Sequence, residues 1–203
     1  HPSVISVHDV GETPDGRPFL VMELAAGALS DRMRVATSLP GDDVLAALVT
    51  ALADGLGALH RAGIVHRDVK PANLLIMGDT SAETAAVGGA LLEPGERLVV
   101  GDLGFARDQR RVNPGTTLLG GTPGFRAPEQ LLIDGSPDAR ADVYAATAVL
   151  WALLTGATPP DPETLPVAVQ HAPAAWRDFL LTGMAPDVES RFPDMAGWAA
   201  AAA

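Results

Sequence analysis

Ala139 to Thr155 is the stretch that most limits the folds open to this chain. It reads ARADVYAATAVLWALLT, with Asp138 before it and Gly156 and Pro159-Pro160 after it. Apolar residues fall on most faces of this helix, so it can be satisfied only at the centre of a core. Asp138 is expected to cap its start, and Gly156 to stop it. The apolar run Ala145 to Leu154 covers about ten residues, half of what a bilayer span needs, so a buried core helix is expected and no transmembrane segment.

A second long helix is predicted to open at Pro40-Gly41-Asp42-Asp43, with an aspartate as N-cap. Leu45, Leu48, Leu52, Leu56 and Leu59 recur at three- and four-residue steps and form one apolar stripe, and Gly63 ends it. A short helix is expected around Leu29 to Val35, one or two helical turns over Ala127 to Ile133, and two or three helices over Pro162 to Ala203. The strand signals are fewer. Val4 to Val10 and Arg17 to Leu24 flank the turn Thr13-Pro14-Asp15-Gly16 and predict a hairpin. Leu74 to Met77 and Leu98 to Val100 read as short strands, and Gly78 to Arg97 as a surface loop. The fold class is therefore α+β.

Composition narrows the function. The 203 residues carry a formal net charge of -11, which argues against nucleic acid or anionic membrane as partner. There is no cysteine, so no disulfide framework or thiolate metal site, and a reducing compartment fits. Of the 14 basic residues only Lys70 is lysine. A GC-rich genome accounts for the general scarcity, yet the exception stands inside His66-Arg67-Asp68-Val69-Lys70-Pro71-Ala72-Asn73. A lysine supplies a compact, mobile point charge that an arginine fork does not. An aspartate before it and an asparagine after it outline a phosphoryl-transfer loop.

Two further motifs follow in order: Asp102-Leu103-Gly104, and Gly121-Thr122-Pro123-Gly124-Phe125-Arg126-Ala127-Pro128-Glu129. Together the three resemble the signature set of protein kinases. The flanks agree, from Met22-Glu23-Leu24 to Asp142-Val143-Tyr144 and Arg191. Gly121 to Gly124 and Ala127 to Gln130 are most similar in wording to bacterial eukaryotic-like (Hanks-type) serine/threonine kinases. The resemblance spans essentially the whole chain. It implies a protein-kinase-like fold, with a mainly helical large lobe over 25–203 and a remnant of the small lobe and hinge over 1–24.

The resemblance also implies roles. Asp68 matches the base that accepts the hydroxyl proton, and Lys70 would neutralise the γ-phosphate and mark the acceptor as serine or threonine. Thr122 would help to organise the acceptor site. Asn73 and Asp102 would hold Mg²⁺, being hard oxygen donors. For ATP, Met22 stands at the gatekeeper position, the Glu23 carbonyl and Ala25 amide would bond the adenine edge, and Leu75 would pack beneath the ring. The plainer reading makes Met22 and Leu75 core residues, and the two are compatible. Thr116 and Thr117 stand where bacterial relatives carry activating phosphates, with Arg67 and Arg107 as receivers; the alternative is two solvated loop threonines. Glu129 and Arg191 would form a buried pair, Asp142 would anchor the catalytic loop, and His66 would stack with Leu103. Leu103 departs from the family's usual phenylalanine, with Phe105 two residues on.

A glycine-rich phosphate loop, a second lysine and its glutamate partner are not found before the hinge, so the chain reads as a kinase domain cut partway through its small lobe. Three readings compete: part of an active kinase, a catalytically inactive kinase-like binding or scaffolding module, and a small-molecule phosphotransferase of similar fold. The four retained catalytic residues favour the first, and Gly121 to Glu129 counts against the third. The expected partners are proteins bearing serine or threonine, including a second copy phosphorylated in trans. The expected setting is the cytoplasm, with any membrane anchor outside this segment. The 203 residues alone are expected to show little activity.

Overall fold

The computed structural model of the chain describes residues 1–78, 90–102, 107–108, 124–132 and 137–203, with the backbone alone at 107–108. Two helices make its centre. Helix α2, Asp42–Arg61, follows the short helix α1, Leu29–Val35, and α3 is Arg140–Thr155. Every residue of α3 from Ala141 to Leu154 is buried, as an all-apolar helix requires. On α2 the five stripe leucines are buried together with Val49 and Gly55. By length and mean hydropathy (1.4) α2 could cross a membrane, but its stripe packs against α3, α6 (Met195–Ala202) and β6 (Arg97–Val100), which makes it a core helix here.

The helix ends follow local chemistry, with two corrections. The N-cap of α2 is Gly41 rather than an aspartate, and its carbonyl accepts from Val44 and Leu45 (both 3.1 Å). Asp42 and Asp43 lie in the first turn, where a negative charge complements the helix dipole without a capping bond. Gly63 closes α2 at φ 80°, and Gly156 closes α3 at φ 67°, both in the left-handed region glycine adopts freely. Asp138 is not the N-cap of α3 either: that position is Ala139, with no side-chain capping bond, and Asp138 Oδ1 instead accepts from the Arg140 amide at 2.8 Å. Helices α4 (Leu165–Ala168), α5 (Arg177–Gly183) and α6 complete the helical layer. A Cβ at Gly183 would collide with Thr147, so glycine lets α5 close on α3. The Thr147 hydroxyl donates to the Val143 carbonyl (2.8 Å) and accepts from Trp198 Nε1 (2.9 Å), so this buried polar group is satisfied.

Among the described residues the strands form three small sheets. β1 (Val7–Glu12) and β2 (Pro18–Met22) make the expected antiparallel hairpin around Gly16, at φ 83°. It begins three residues later than the sequence suggested, because Val4 bridges to Val100 and the Ile5 amide donates to the Val100 carbonyl (2.9 Å). Ile5 is buried by that move, whereas the hairpin leaves its own side chains exposed. β3 (Gly27–Ala28), β5 (Leu74–Met77) and β6 form an antiparallel sheet in the order β3-β5-β6. β4 (Ile64–Val65) pairs with β7 (Arg107–Asp108). Single 3₁₀ turns at Pro71–Asn73 and Pro128–Leu131 carry residues of interest.

The expected surface loop before β6 is not wholly surface. Leu91 enters the main core. Glu96 pairs with Arg32 of α1 at 2.6 Å, the two side chains being 3% and 7% exposed. A buried charge must be paired, and this pair pins the segment 90–96 to α1.

Candidate active site

The loop between β4 and β5 holds the chemistry. Asp68 Oδ2 accepts from Lys70 Nζ at 2.7 Å and from Asn73 Nδ2 at 2.9 Å, and Asn73 Nδ2 also donates to the Asp68 carbonyl at 2.7 Å. The Pro71–Asn73 turn brings Asn73 back over Asp68, with proline at its first position where no amide is needed. Asp68 Oδ1 has no hydrogen-bond partner among the described residues, so this oxygen can accept a further hydrogen bond. The pair is shielded but reachable, with 7% of the Asp68 side chain and 18% of Lys70 exposed.

Asp142 at the start of α3 anchors this loop. It is fully buried; its Oδ1 accepts from the Arg67 amide, and its Oδ2 from the His66 amide and His60 Nε2, all at 2.8 Å. His60 was not singled out by the sequence, since it sits one residue past the last leucine of the stripe and looks like a surface position. His66 Nε2 lies 2.8 Å from the Gly101 carbonyl. A carbonyl can only accept, so the proton is assigned to Nε2, and Nδ1 accepts from the Asp68 amide at 3.3 Å. Stacking of His66 on Leu103 falls outside the described residues.

Asp102 is brought to Asn73 by the backbone. The Gly101 amide donates to the Asn73 carbonyl at 2.8 Å. A Cβ on Gly101 would stand 2.6 Å from Leu75 Cδ1, so any larger residue here would have to displace the Leu75 side chain. Asp102 is exposed and adopts φ 51°. Asn73 spends its amide nitrogen on Asp68, and its Oδ1 has no hydrogen bond among the described residues. One amide oxygen and one carboxylate suit Mg²⁺, which binds through few protein oxygens with phosphates and water completing its shell. Among the described residues no cluster of three histidines, cysteines or acids could cage a metal by itself.

The candidate nucleotide residues are split. Ala25 and Leu75 pack against a small apolar cluster of Ile5, Met77 and Val99, separate from the main core. Met22 is 40% exposed, so the plain reading of it as a core residue does not hold here. The Glu23 carboxylate stands 3.4 Å from Arg97 Nη2. Neither the Glu23 carbonyl nor the Ala25 amide makes a hydrogen bond among the described residues. A cavity of about 390 Å³ bounded by Met33, Leu39, Leu91 and Leu153 is lined by none of these residues.

Glu129 and Arg191 meet as expected from the sequence. Both oxygens of Glu129 accept from Arg191, Nη1 and Nη2, at 2.8 Å. Arg191 also donates to the carbonyls of Ala185, Arg140 and Pro186, and lies 5.0 Å over the ring of Tyr144. Burial pushes the Tyr144 phenol up to about 12. Arg67 adopts φ 70°, and its Nη2 donates to the Pro137 carbonyl at 3.3 Å. Gln130, to which the sequence assigned no role, donates from Nε2 to the Arg67 carbonyl at 2.8 Å. Thr116, Thr117, Thr122, Leu103 and Phe105 lie outside the described residues, as does the side chain of Arg107.

The family profile described as protein kinase domain matches residues 1–174. The serine/threonine-protein kinase PknF of Mycobacterium tuberculosis is 33% identical over 201 residues, covering 96% of this chain and 37% of PknF. PknL of the same organism is 35% identical over 159 residues, covering 77% of this chain and 35% of PknL. The chain thus spans little more than a third of the curated relatives it matches. Among solved structures, a double mutant of the M. tuberculosis PknI kinase domain superposes with a TM-score of 0.70 at 24% identity, over 99% of this chain and 70% of that one. At that identity the likeness speaks for the fold.

Proposed function

Because the chain belongs to the protein kinase family, we propose that it forms the phosphoryl-transfer lobe of a serine/threonine protein kinase, moving the γ-phosphoryl group of ATP to protein hydroxyls. Residues 1–24 then serve as part of the small lobe and hinge, and 25–203 as the large lobe. The observation that carries the reading is Asp68: one carboxylate oxygen is held by Lys70 and Asn73, and the other has no hydrogen-bond partner among the described residues. Asp68 Oδ1 takes the proton of the attacking serine or threonine hydroxyl. Lys70 Nζ turns from Asp68 to the transferring phosphoryl oxygens. Asn73 Oδ1 and the Asp102 carboxylate would hold Mg²⁺, which would supply positive charge to neutralise the nucleotide phosphates. The Glu23 carbonyl and Ala25 amide bond the adenine edge, Leu75 packs beneath the ring, and Met22 stands at the gatekeeper position. Thr122 lines the acceptor site. Phosphorylation of Thr116 and Thr117 by a second copy is received by Arg67 and Arg107 and sets the level of activity. The acidic, cysteine-free sequence supports a cytoplasmic setting.

Retention of Asp68, Lys70, Asn73 and Asp102 in one cluster favours the enzyme over a silent binding module. The test is transfer of labelled phosphate from Mg-ATP to a protein substrate, by the full polypeptide that carries this chain, followed by phosphoamino acid analysis. Label on serine or threonine, and a fall of ~10²–10⁴-fold in Asp68→Asn, are expected. Label on tyrosine alone, or equal rates in Asp68→Asn, would overturn the reading. The 203 residues alone are expected to transfer little, since their one lysine is committed to the catalytic loop.

A further inference from the structure

The peptide unit joining Arg67 to Asp68 carries the catalytic candidate, and it is gripped at both ends. Its oxygen, the Arg67 carbonyl, accepts from Gln130 Nε2 at 2.8 Å. Its N–H, the Asp68 amide, donates to His66 Nδ1 at 3.3 Å. On the other side of Arg67 the amide is fixed to Asp142 at 2.8 Å. Such holding is needed, because Arg67 sits at φ 70°, where a residue with a Cβ is strained and remains only if its surroundings enforce it.

Gln130 is itself well placed to enforce it. Its Oε1 accepts from the Ala127 amide at 3.0 Å. The two bonds fix which end of the side-chain amide is which, because a flipped amide would face an N–H with an NH₂ and a carbonyl with a carbonyl. The residue before it, Glu129, is clamped by the buried Arg191. Glu129 thus fixes the Pro128–Leu131 turn to the helical core, and Gln130 carries that fixed point across to the catalytic loop.

We propose that Gln130 is a positioning residue for Asp68, setting the orientation of the 67–68 peptide and so the direction in which the Asp68 carboxylate points. The proposal rests on Asp68 being the proton acceptor only for its effect on catalysis; the positional claim can be read without any activity.

Two variants separate positioning from simple support of the turn. Gln130→Glu keeps an acceptor for the Ala127 amide but presents an oxygen to the Arg67 carbonyl. Gln130→Leu loses both bonds. In the 203-residue chain, hydrogen exchange over residues 66–70 and tryptic cleavage after Arg67 are expected to rise about tenfold in both variants, the scale of one lost hydrogen bond. Wild-type exchange in Gln130→Glu with faster exchange in Gln130→Leu would assign the residue to the turn alone and overturn the proposal, as would wild-type exchange in both. Should Gln130→Glu fold poorly, NMR of the unaltered chain gives the answer: a through-bond coupling from the Gln130 side-chain amide to the Arg67 carbonyl is expected, and its absence would sink the idea. In the full polypeptide the variants are expected to lower kcat about tenfold with KM for ATP little changed. An unchanged kcat in an active kinase overturns the proposal and leaves the kinase reading standing, while altered exchange in an inactive polypeptide does the reverse.

Discussion

Asp142 shows how much one buried carboxylate can organise. It has no exposure, and three donors from two elements converge on it: the His66 and Arg67 amides and the His60 ring. Asparagine has the same shape but only one acceptor oxygen, so its NH₂ would face donors. Asp142→Asn is therefore expected to cost about 3–5 kcal/mol, the scale for breaking a buried charged contact, read as a shift of the urea unfolding midpoint. A loss below about 1 kcal/mol would show that the loop finds other partners. Asp138 lies at the same end of α3 and makes a different, pH-dependent contribution. Burial alone would raise its pKa, but hydrogen bonds from the Arg140 side chain and amide and the charges of Arg140 and Arg191 outweigh this and hold it below the ordinary carboxylate value. The folded pKa is thus the lower one. The resulting stabilisation is present above the unfolded value of about 3.9 and is lost as pH falls through the folded value. Asp138→Asn should be less stable than the parent near neutral pH, with the gap closing in acid. A gap that stays constant down to strongly acid pH would contradict the linkage.

At the scale of elements, the Arg32–Glu96 pair decides how α1 meets the segment before β6. Both side chains are almost wholly buried, and the second Glu96 oxygen accepts from the Glu93 amide at 2.8 Å. Glu96→Gln leaves Arg32 buried without its counter-charge and is expected to cost about 3–5 kcal/mol. Replacing both residues with apolar side chains of similar size, Arg32→Met with Glu96→Leu, is expected to cost little or to stabilise, because neither charge need then leave water. Thermal melts of the three proteins order them; a double variant as weak as the single one would mean that the pair does more than cancel itself. Such a contact could not be read from the sequence, since its partners lie 64 positions apart and each alone looks like a surface charge. Elements set by local pattern were legible. The α2 stripe comes from periodicity, the apolar α3 and the strand Leu74–Met77 from continuous apolar runs, and α1 over Leu29–Val35 is where it was expected. The parts that depended on distant partners were not: the start of the hairpin, the burial of Leu91, and the roles of His60 and Gln130. In the site, the motif spacing named Asp68, Lys70 and Asn73, but only the fold shows that they share one carboxylate oxygen.

Across the whole molecule, burial is unevenly distributed. The helices enclose one main core, while the β1–β2 hairpin leaves Val10 66%, Leu20 56% and nearby Leu24 92% exposed. Successive residues of β2 point to opposite faces, and all of them are exposed, so neither face of the hairpin is covered. A lone two-stranded hairpin is marginally stable in water, and its links to the rest among the described residues are few. They include the Ser3–Ile5 backbone against Val100, Arg97 Nη1 to the Pro2 carbonyl at 2.6 Å and Arg97 Nη2 to the Glu23 carboxylate at 3.4 Å. Local opening free energy follows buried apolar contact, so the chain should divide into two tiers of stability. Amides of α2 and α3 are expected to exchange only with global unfolding. Those of β1 and β2 should exchange orders of magnitude faster through local opening, with little dependence on denaturant, because little surface is exposed when they open. Native-state hydrogen exchange across a urea series resolves both rates in one experiment. Hairpin amides as slow as those of α3, with the same denaturant slope, would mean that the molecule opens as a single unit and that the uncovered hairpin is held by more than the contacts named.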